Sequence, residues 1–214
     1  MNHFLTKIEE ATSLESENLV GFKSELEYIK ALNHVKELII SSYELLKIGY
    51  YSQSLFLTIT AIEEIAKVEV CICRGYLSNE IVKRSKDPLF SHNEKHSMAA
   101  NPVILIGDRI ENSIGKERAN EIFQDLQKGR YGKIREKCLY FQRNKDCLIV
   151  PNESVNEINS HELLLISIEM VDDKFWGLNQ SSTQISDELN IYYLKIDKSL
   201  KNIKNTTYNN MHKS

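Results

Sequence analysis

Glycine and proline are scarce in this chain. Its 214 residues include eight glycines and three prolines, at positions 88, 102 and 151. Turn-rich all-β architectures need far more of both residues, so the composition excludes that class. No apolar run exceeds a few residues, well short of the ~20 that a membrane span requires. The first residues also lack the apolar stretch of a signal peptide, and we therefore expect a cytoplasmic protein.

Cysteine and net charge point to no particular activity. Cys71 and Cys73 lack the two-residue gap of zinc knuckles and thioredoxin motifs, and Cys138 and Cys147 are equally unpatterned. We expect reduced structural thiols, with no metal and no cofactor. The 27 basic and 30 acidic residues leave a formal net charge of −3. The chain as a whole therefore lacks the basic character of many nucleic-acid binders, although a local basic site stays open.

Helical periodicity is what the sequence has in abundance. Apolar residues recur at spacings of four and three from Glu25 to about Lys47. A second helix, from about Ser52 to Arg74, is apolar on most sides, as expected of a helix inside a bundle. Further helices are predicted over 92–110, 116–128, 160–176 with Ser160 as N-cap, and 187–203. The predicted fold class is all-α, an antiparallel helical bundle with an appended C-terminal helix.

Three segments of the chain differ in character. Residues 1–20 form a polar leader, either a short helix or a loose segment, and residues 21–178 form the bundle. Residues 179–214 contain a linker-like polar run, an amphipathic helix and a frayed end. An isolated helix of that length is marginal in water, so we expect this helix to pack on the bundle or on a second subunit.

The second helix carries one polar seam. Buried charge is costly unless it is paired or hydrogen-bonded, so charges on this apolar helix favour a pocket or an interface. An exposed i,i+4 ion pair between Glu63 and Lys67 would explain the spacing without any function. The seam residues lie within a sector of about 100°: Gln53, Thr60, Glu63, Glu64, Lys67 and Arg74.

A histidine–lysine segment follows Pro88. On a helix, His92, Lys95 and His96 share one face. Histidine can exchange protons with a hydroxyl or a leaving oxygen, and lysine can neutralise a phosphate. These are the ingredients of phosphodiester chemistry. A polar helix start with a solvent-facing histidine, or a metal site at His92-x-x-x-His96, are the alternatives.

A second basic segment spans residues 133–140. Arg135 can donate two hydrogen bonds to one phosphate, and Tyr140 can stack on a base or donate its hydroxyl. A solvated helical turn with Tyr140 as a half-buried anchor explains the same residues and is favoured on local grounds.

Three motifs, taken in order, resemble the AbiV-type abortive-infection proteins, a branch of the HEPN helical superfamily. They are the run from Gly49 to Lys67 with Ala-Ile-Glu-Glu-Ile-Ala-Lys at its end, Phe90-x-His92-x-x-Lys95, and Arg135-x-x-x-Leu139-Tyr140 with Pro151 downstream. The resemblance covers roughly residues 25–176. It implies a bacterial phage-defence protein built as a dimerising antiparallel helical bundle. HEPN ribonucleases cut RNA without metal, using an arginine and a histidine at a cleft between subunits.

The usual HEPN nuclease signature is an arginine followed, after four to six residues, by a histidine. No pair here has that gap, since seven residues separate Arg84 from His92 and include Pro88. An arginine and a histidine from separate helices must therefore meet. Carried over onto matching positions, the resemblance implies these catalytic candidates: Glu63, Glu64, Lys67, His92, Lys95, Arg135 and Tyr140.

Each candidate has an expected role. His92 acts as general base or acid on the ribose 2′-hydroxyl or the leaving 5′-oxygen. Arg135 and Lys95 stabilise the charge that develops on the phosphate. Glu63 or Glu64 orients His92 or Lys95, and Lys67 balances the two carboxylates.

The function expected from the resemblance is phage resistance by a ribonuclease that arrests host translation on infection. The protein is expected to be a homodimer, with RNA as substrate and with a phage-encoded activator or an inhibitory partner. A non-catalytic helical module that sequesters a phage or host protein is the alternative.

Overall fold

The computed structural model describes residues 3–16, 20–74, 80–100 and 108–211, and these ranges confirm the all-α class. The chain order of the helices and strands is α1 His3–Ser13, β1 Leu14–Ser16, α2 Glu25–Lys47, α3 Tyr51–Arg74, β2 Glu80–Val82, two single-turn 3₁₀ helices at Arg84–Lys86 and Pro88–Phe90, α4 His92–Ala99, α5 Arg109–Ile114, α6 Lys116–Gln127, α7 Tyr131–Lys137, β3 Gln142–Arg143, β4 Leu148–Ile149, α8 Pro151–Ser154, α9 Glu157–Phe175 and α10 Gln180–Met211.

Four long helices form the centre of the bundle. Helix α2 packs on α3, α3 on α9, α9 on α10, and α10 back on α2. The α2–α3 and α9–α10 connections are only three and four residues long, which makes each pair antiparallel. Helix α9 is buried at every position from Ser160 to Val171. None of the described helices is both long and apolar enough to cross a membrane.

Helix boundaries near the bundle ends correct two predictions. The carboxamide of Asn156 accepts a hydrogen bond from the Ile158 amide (2.7 Å) and caps α9, so the predicted cap Ser160 lies inside the helix. The Ser160 hydroxyl instead donates to the Tyr51 carbonyl oxygen at 3.2 Å. The predicted helix over 92–110 ends at Ala99. Pro102, which falls within the predicted range, lies outside the described residues.

The polar run after residue 178 caps a helix and is not a linker. The Asn179 carboxamide accepts a hydrogen bond from the Ser182 amide (2.7 Å), and the Ser182 hydroxyl accepts one from the Asn179 amide (3.0 Å). Because these bonds satisfy free amides at a helix start, α10 begins at Gln180 rather than near Asp187. It continues through the predicted frayed residues to Met211. The expected packing on the bundle is confirmed by its buried stripe: Ile185, Leu189, Tyr193, Ile196 and Leu200.

The predicted polar leader contains α1 and β1, which pack beside the start of α4. Strand β1 pairs in parallel with β2, with Ser16 opposite Val82. The Ala11 carbonyl oxygen accepts a hydrogen bond from Arg74 Nε (2.8 Å), and Lys7 forms an ion pair with Glu94 of α4. The N-terminal segment therefore supports the part of the chain that contains the histidine–lysine motif.

Candidate active site

Helices α4 and α7 pack on the polar seam of α3 and enclose one carboxylate, that of Glu63. Its side chain is 3% exposed. The Glu63 cluster consists of this residue with His92, Lys95 and His96 from α4 and Arg135 from α7. The one-turn spacing of the three α4 residues puts them on a single helix face, as predicted. Two helices distant in sequence thus supply the histidine and the arginine.

The Glu63 carboxylate accepts hydrogen bonds from three side chains of α4. Lys95 Nζ lies 2.7 Å from Oε2, His92 Nδ1 lies 2.8 Å from Oε2, and His96 Nε2 lies 3.1 Å from Oε1. Arg135 Nε is 3.6 Å from Oε1 and forms an ion pair with it. One negative charge is therefore shared among four groups that are cationic or can become so.

The environment of Glu63 keeps it ionised. Burial on its own raises the pKa of the carboxyl group. Hydrogen bonds from His96, Lys95 and His92, together with the charge of Lys95, outweigh burial and hold the pKa at about 2. Glu63 is consequently a fixed negative charge and a hydrogen-bond acceptor at any physiological pH.

The two histidines differ in what their second ring nitrogen can do. Because a carboxylate only accepts hydrogen bonds, His92 holds a proton on Nδ1 and its neutral form has the lone pair on Nε2. The His92 side chain is 49% exposed, so it can be reached from solvent. The His96 side chain is fully buried, and its Nδ1 has no hydrogen-bond partner among the described residues. His92 is thus suited to proton transfer, whereas His96 holds the carboxylate in place.

Arg135 lies at the half-buried edge of the cluster. Its guanidinium carbon is 4.9 Å from the centre of the Phe56 ring, a cation–π contact that fixes the guanidinium group. Its Nε is buried without a hydrogen-bond partner in the described part of the chain. With both histidines neutral, Lys95, Arg135 and Glu63 sum to a charge of +1. The cluster therefore favours an additional anion such as a phosphate.

A buried ion pair positions the start of α4. Arg74 donates from Nη1 and Nη2 to the two carboxylate oxygens of Asp87, at 3.0 and 2.9 Å. Asp87 also accepts from the Ser16 hydroxyl (2.9 Å) and the Leu89 amide (3.0 Å). Burial acts to raise the pKa of Asp87, but these hydrogen bonds and the charge of Arg74 lower it overall. The segment that leads into His92 is thereby fixed to the end of α3.

A close approach at Asn93 positions α7. A Cβ atom at Gly132 would lie 2.5 Å from Asn93 Oδ1, and one at Gly129 would lie 2.8 Å from Asn93 Cβ. Gly129 also has a φ of +66°, a conformation that L side chains rarely adopt. The turn between α6 and α7 therefore needs glycine to contact α4, and this contact brings Arg135 toward Glu63.

The structure brings four of the seven predicted residues together: Glu63, His92, Lys95 and Arg135. Glu64 and Lys67, which also belong to the polar seam of α3, form an ion pair with each other. The alternative interpretation, an exposed pair between Glu63 and Lys67, is wrong, because Glu63 is buried and pairs with Lys95 instead. His96 completes the cluster, and its position four residues after His92 was the signal that placed it there.

Tyr140 stands apart from the cluster. Its side chain is 66% exposed, so the half-buried anchor predicted for it is wrong. Among the described residues it has no side-chain hydrogen bond or ion pair, with the Glu63 cluster or elsewhere. The turn after α7 instead buries Cys138, which is 1% exposed.

The sequence model of the AbiV family, described as HEPN_AbiV, matches residues 27–172, more than half of the chain. That range contains the whole Glu63 cluster. Comparisons with curated proteins and with solved structures give no match.

Proposed function

The chain belongs to the AbiV family of HEPN proteins, and from this premise we propose that it is a metal-independent endoribonuclease of abortive infection. On phage infection it cuts RNA in the host cytoplasm and arrests translation. One observation carries the proposal. The Glu63 carboxylate accepts a hydrogen bond from Nδ1–H of the half-exposed His92, and the cations of the cluster outnumber this one carboxylate.

In the proposed reaction His92 Nε2 takes the proton of a ribose 2′-hydroxyl. The 2′-oxygen forms a bond to the adjacent phosphorus while the bond from phosphorus to the 5′-oxygen breaks. The leaving 5′-oxygen takes up a proton from water, and His92 releases its proton to solvent. The products are a 2′,3′-cyclic phosphate and a 5′-hydroxyl. Glu63 orients the ring and stabilises the imidazolium that forms, the role that a buried carboxylate has beside a catalytic histidine.

In the proposal, the Arg135 guanidinium stabilises the phosphate as negative charge develops on it; its ion pair with Glu63 at the edge of the cluster supports this role. Lys95 is 5% exposed and donates to Glu63, so its geometry supports a positioning role through that carboxylate rather than a contact with phosphate. His96 acts in the same way. Glu64 and Lys67 balance each other beside the site.

The proposal includes a homodimer. HEPN domains commonly dimerise, and a half-exposed catalytic histidine is compatible with a cleft completed by a second subunit. A nuclease that damages host RNA must be held inactive before infection. We therefore include a phage-encoded activator or an inhibitory partner as the source of control.

The test is RNA cleavage by purified protein, with products resolved by electrophoresis and their ends identified. His92→Ala and Arg135→Ala are expected to lower the cleavage rate by about 10²–10⁴-fold, the usual contribution of one acid–base or charge-stabilising group. Cleavage is expected to persist in EDTA. His34→Ala and Arg130→Ala are matched controls, because both residues are exposed and lie outside the cluster.

Phage protection measured with the same variants separates the two candidate functions. If His92→Ala and Arg135→Ala fold normally and protect cells as well as the parent, the nuclease proposal is wrong. Intact cellular RNA during full protection would then favour the sequestration module.

A further inference from the structure

A basic and aromatic surface lies on both sides of Arg135 in the sequence and has no part in the Glu63 cluster. Residues 131–149 contain five basic and two acidic residues, a local charge of +3 in a chain whose net charge is −3. Its exposed cations and aromatic rings form what we call the basic–aromatic platform: Lys133, Lys137, Tyr140, Phe141, Arg143 and Lys145. The two acids of the segment, Glu136 and Asp146, are also exposed.

The platform presents two adjacent aromatic rings to solvent. Tyr140 is 66% exposed and Phe141 is 67% exposed. Neither ring has an aromatic or cation–π partner among the described residues. Two consecutive aromatic residues that are both mostly exposed are unfavourable in water and are typical of a site of interaction.

Four cations flank these rings. Lys133, Lys137, Arg143 and Lys145 are all exposed. Within the described part of the chain, none of the four forms an ion pair. Their charges are therefore available to an anionic partner.

The platform rests on ordered structure. Buried Cys138 holds the end of α7, and β3 pairs with β4 in an antiparallel hairpin. The Asn144 carboxamide closes the hairpin turn by accepting from the amides of Asp146 (3.0 Å) and Cys147 (2.7 Å). Because the backbone that carries the rings and cations is ordered, less conformational entropy is lost when a ligand binds.

From these features we propose that the platform binds single-stranded RNA. Bases stack on Tyr140 and Phe141, and the cations contact the phosphates between them. Stacking on protein aromatic rings needs unpaired bases, which excludes a duplex. A second copy of the chain fits less well, because a two-fold interface brings the same patch of both copies together and would place like charges face to face.

The platform is close enough to the candidate active site to hold a substrate for it. Tyr140 follows Arg135 by five residues, so no more than about 19 Å separates their Cα atoms. A strand that lies on the rings can therefore continue past Arg135 to His92. This step rests on the proposed ribonuclease function, whereas strand binding itself can be measured without cleavage.

The experiment is fluorescence anisotropy with a labelled 2′-O-methyl oligonucleotide, which lacks the 2′-hydroxyl that cleavage needs. We expect Tyr140→Ala and Phe141→Ala each to weaken binding about 10- to 100-fold, the usual effect of losing one stacked base. A duplex of the same sequence should bind more weakly than the single strand. Tyr50→Ala, which removes an exposed tyrosine elsewhere, should bind as the parent does.

Salt dependence tests the phosphate contacts separately. The double variant Arg143→Gln, Lys145→Gln removes two cations and should lower the slope of log affinity against log salt by about 1.4, since each phosphate contact to a single strand contributes about 0.7. Lys116→Ala, which removes a cation that is 73% exposed, should leave the slope unchanged.

Unchanged affinity in both aromatic variants would overturn the proposal. So would variants that change the sedimentation coefficient but not the affinity, because the platform would then be an interface between copies. The proposed function can fail independently. Binding through the platform without any RNA cleavage would overturn the proposed nuclease function. Cleavage that depends on His92 but not on the platform would overturn the proposal made for the platform.

Discussion

Two buried charge clusters lie on the same seam of α3, and they differ in how their charges match. Arg74 and Asp87 form a two-pronged pair in which both side chains are 0% exposed. Eleven residues earlier, Glu63 faces four side chains that are cationic or can become so. In the first cluster, one guanidinium donates to both oxygens of one carboxylate. The second leaves positive charge in excess and one imidazole half exposed.

The difference distinguishes a structural ion pair from the candidate active site. Buried charges cost free energy unless they are matched, so a matched pair such as Arg74–Asp87 chiefly fixes geometry, here the start of α4. An excess of cations is retained more readily where a further anion binds. The same seam thus contains an ion pair that positions α4 and the candidate site to which α4 contributes three side chains.

The largest expected effect on stability comes from removing the carboxylate of the Arg74–Asp87 pair. Asp87→Asn keeps the side-chain shape but removes the buried carboxylate that accepts two hydrogen bonds from Arg74. We expect the free energy of unfolding in urea to fall by about 3–5 kcal/mol, the usual result of removing one partner of a buried pair. The matched control is Glu188→Gln, which removes the exposed acid of the Lys36 pair and should cost less than about 1 kcal/mol. Equal losses in the two variants would show that the Arg74–Asp87 pair does not fix α4.

Sequence reasoning identified this seam but did not separate its two clusters. The 100° sector included both Glu63 and Arg74, because helical periodicity fixes which residues share a face. It does not fix which residue of a distant segment will meet them. Pairing of Glu63 with Lys67 was an alternative because an i,i+4 spacing is visible in sequence, whereas Lys95 reaches Glu63 only through the packing of α4 on α3.

The long helices and the family were predictable because both follow from residue patterns within continuous segments of the sequence. Helix α2 runs from Glu25 to Lys47 as its apolar stripe indicated, and motif order identified the family. Local hydrogen bonds decided what periodicity could not. Asn156 rather than Ser160 caps α9, and the Asn179–Ser182 pair starts α10 within a run that looked like a linker.

The second prediction concerns acid stability and the Glu63 cluster. Because the pKa of Glu63 is lowered from 4.5 to about 2, its ionised form stabilises the fold. Each tenfold change in acid dissociation is worth about 1.4 kcal/mol, which gives about 3 kcal/mol in total. This contribution is fully present above about pH 4.5 and is lost as the pH falls toward 2.

Glu63→Gln measures that contribution directly. The difference in free energy of unfolding between parent and variant should be largest above about pH 5 and should shrink by about 3 kcal/mol by pH 2. Urea unfolding at a series of pH values provides the curve, with Glu188→Gln as the control for removing a carboxylate from the surface. Parallel curves for parent and Glu63→Gln would mean that the cluster does not hold Glu63 ionised.

The smallest expected effects on stability come from the two histidines of the Glu63 cluster, and they should differ from each other. His96→Ala removes a fully buried imidazole and one hydrogen bond to Glu63, so we expect the free energy of unfolding to fall by about 1–3 kcal/mol. His92→Ala removes a half-exposed ring that makes a similar bond, and should cost less than about 1 kcal/mol. The cleavage rate should respond in the opposite order: His92→Ala, which hardly changes the fold, should lose more activity than His96→Ala. Equal destabilisation by the two substitutions would indicate that the cluster is a structural unit like the Arg74–Asp87 pair. A catalytic role for the exposed imidazole instead predicts that His92→Ala abolishes cleavage while the free energy of unfolding hardly changes.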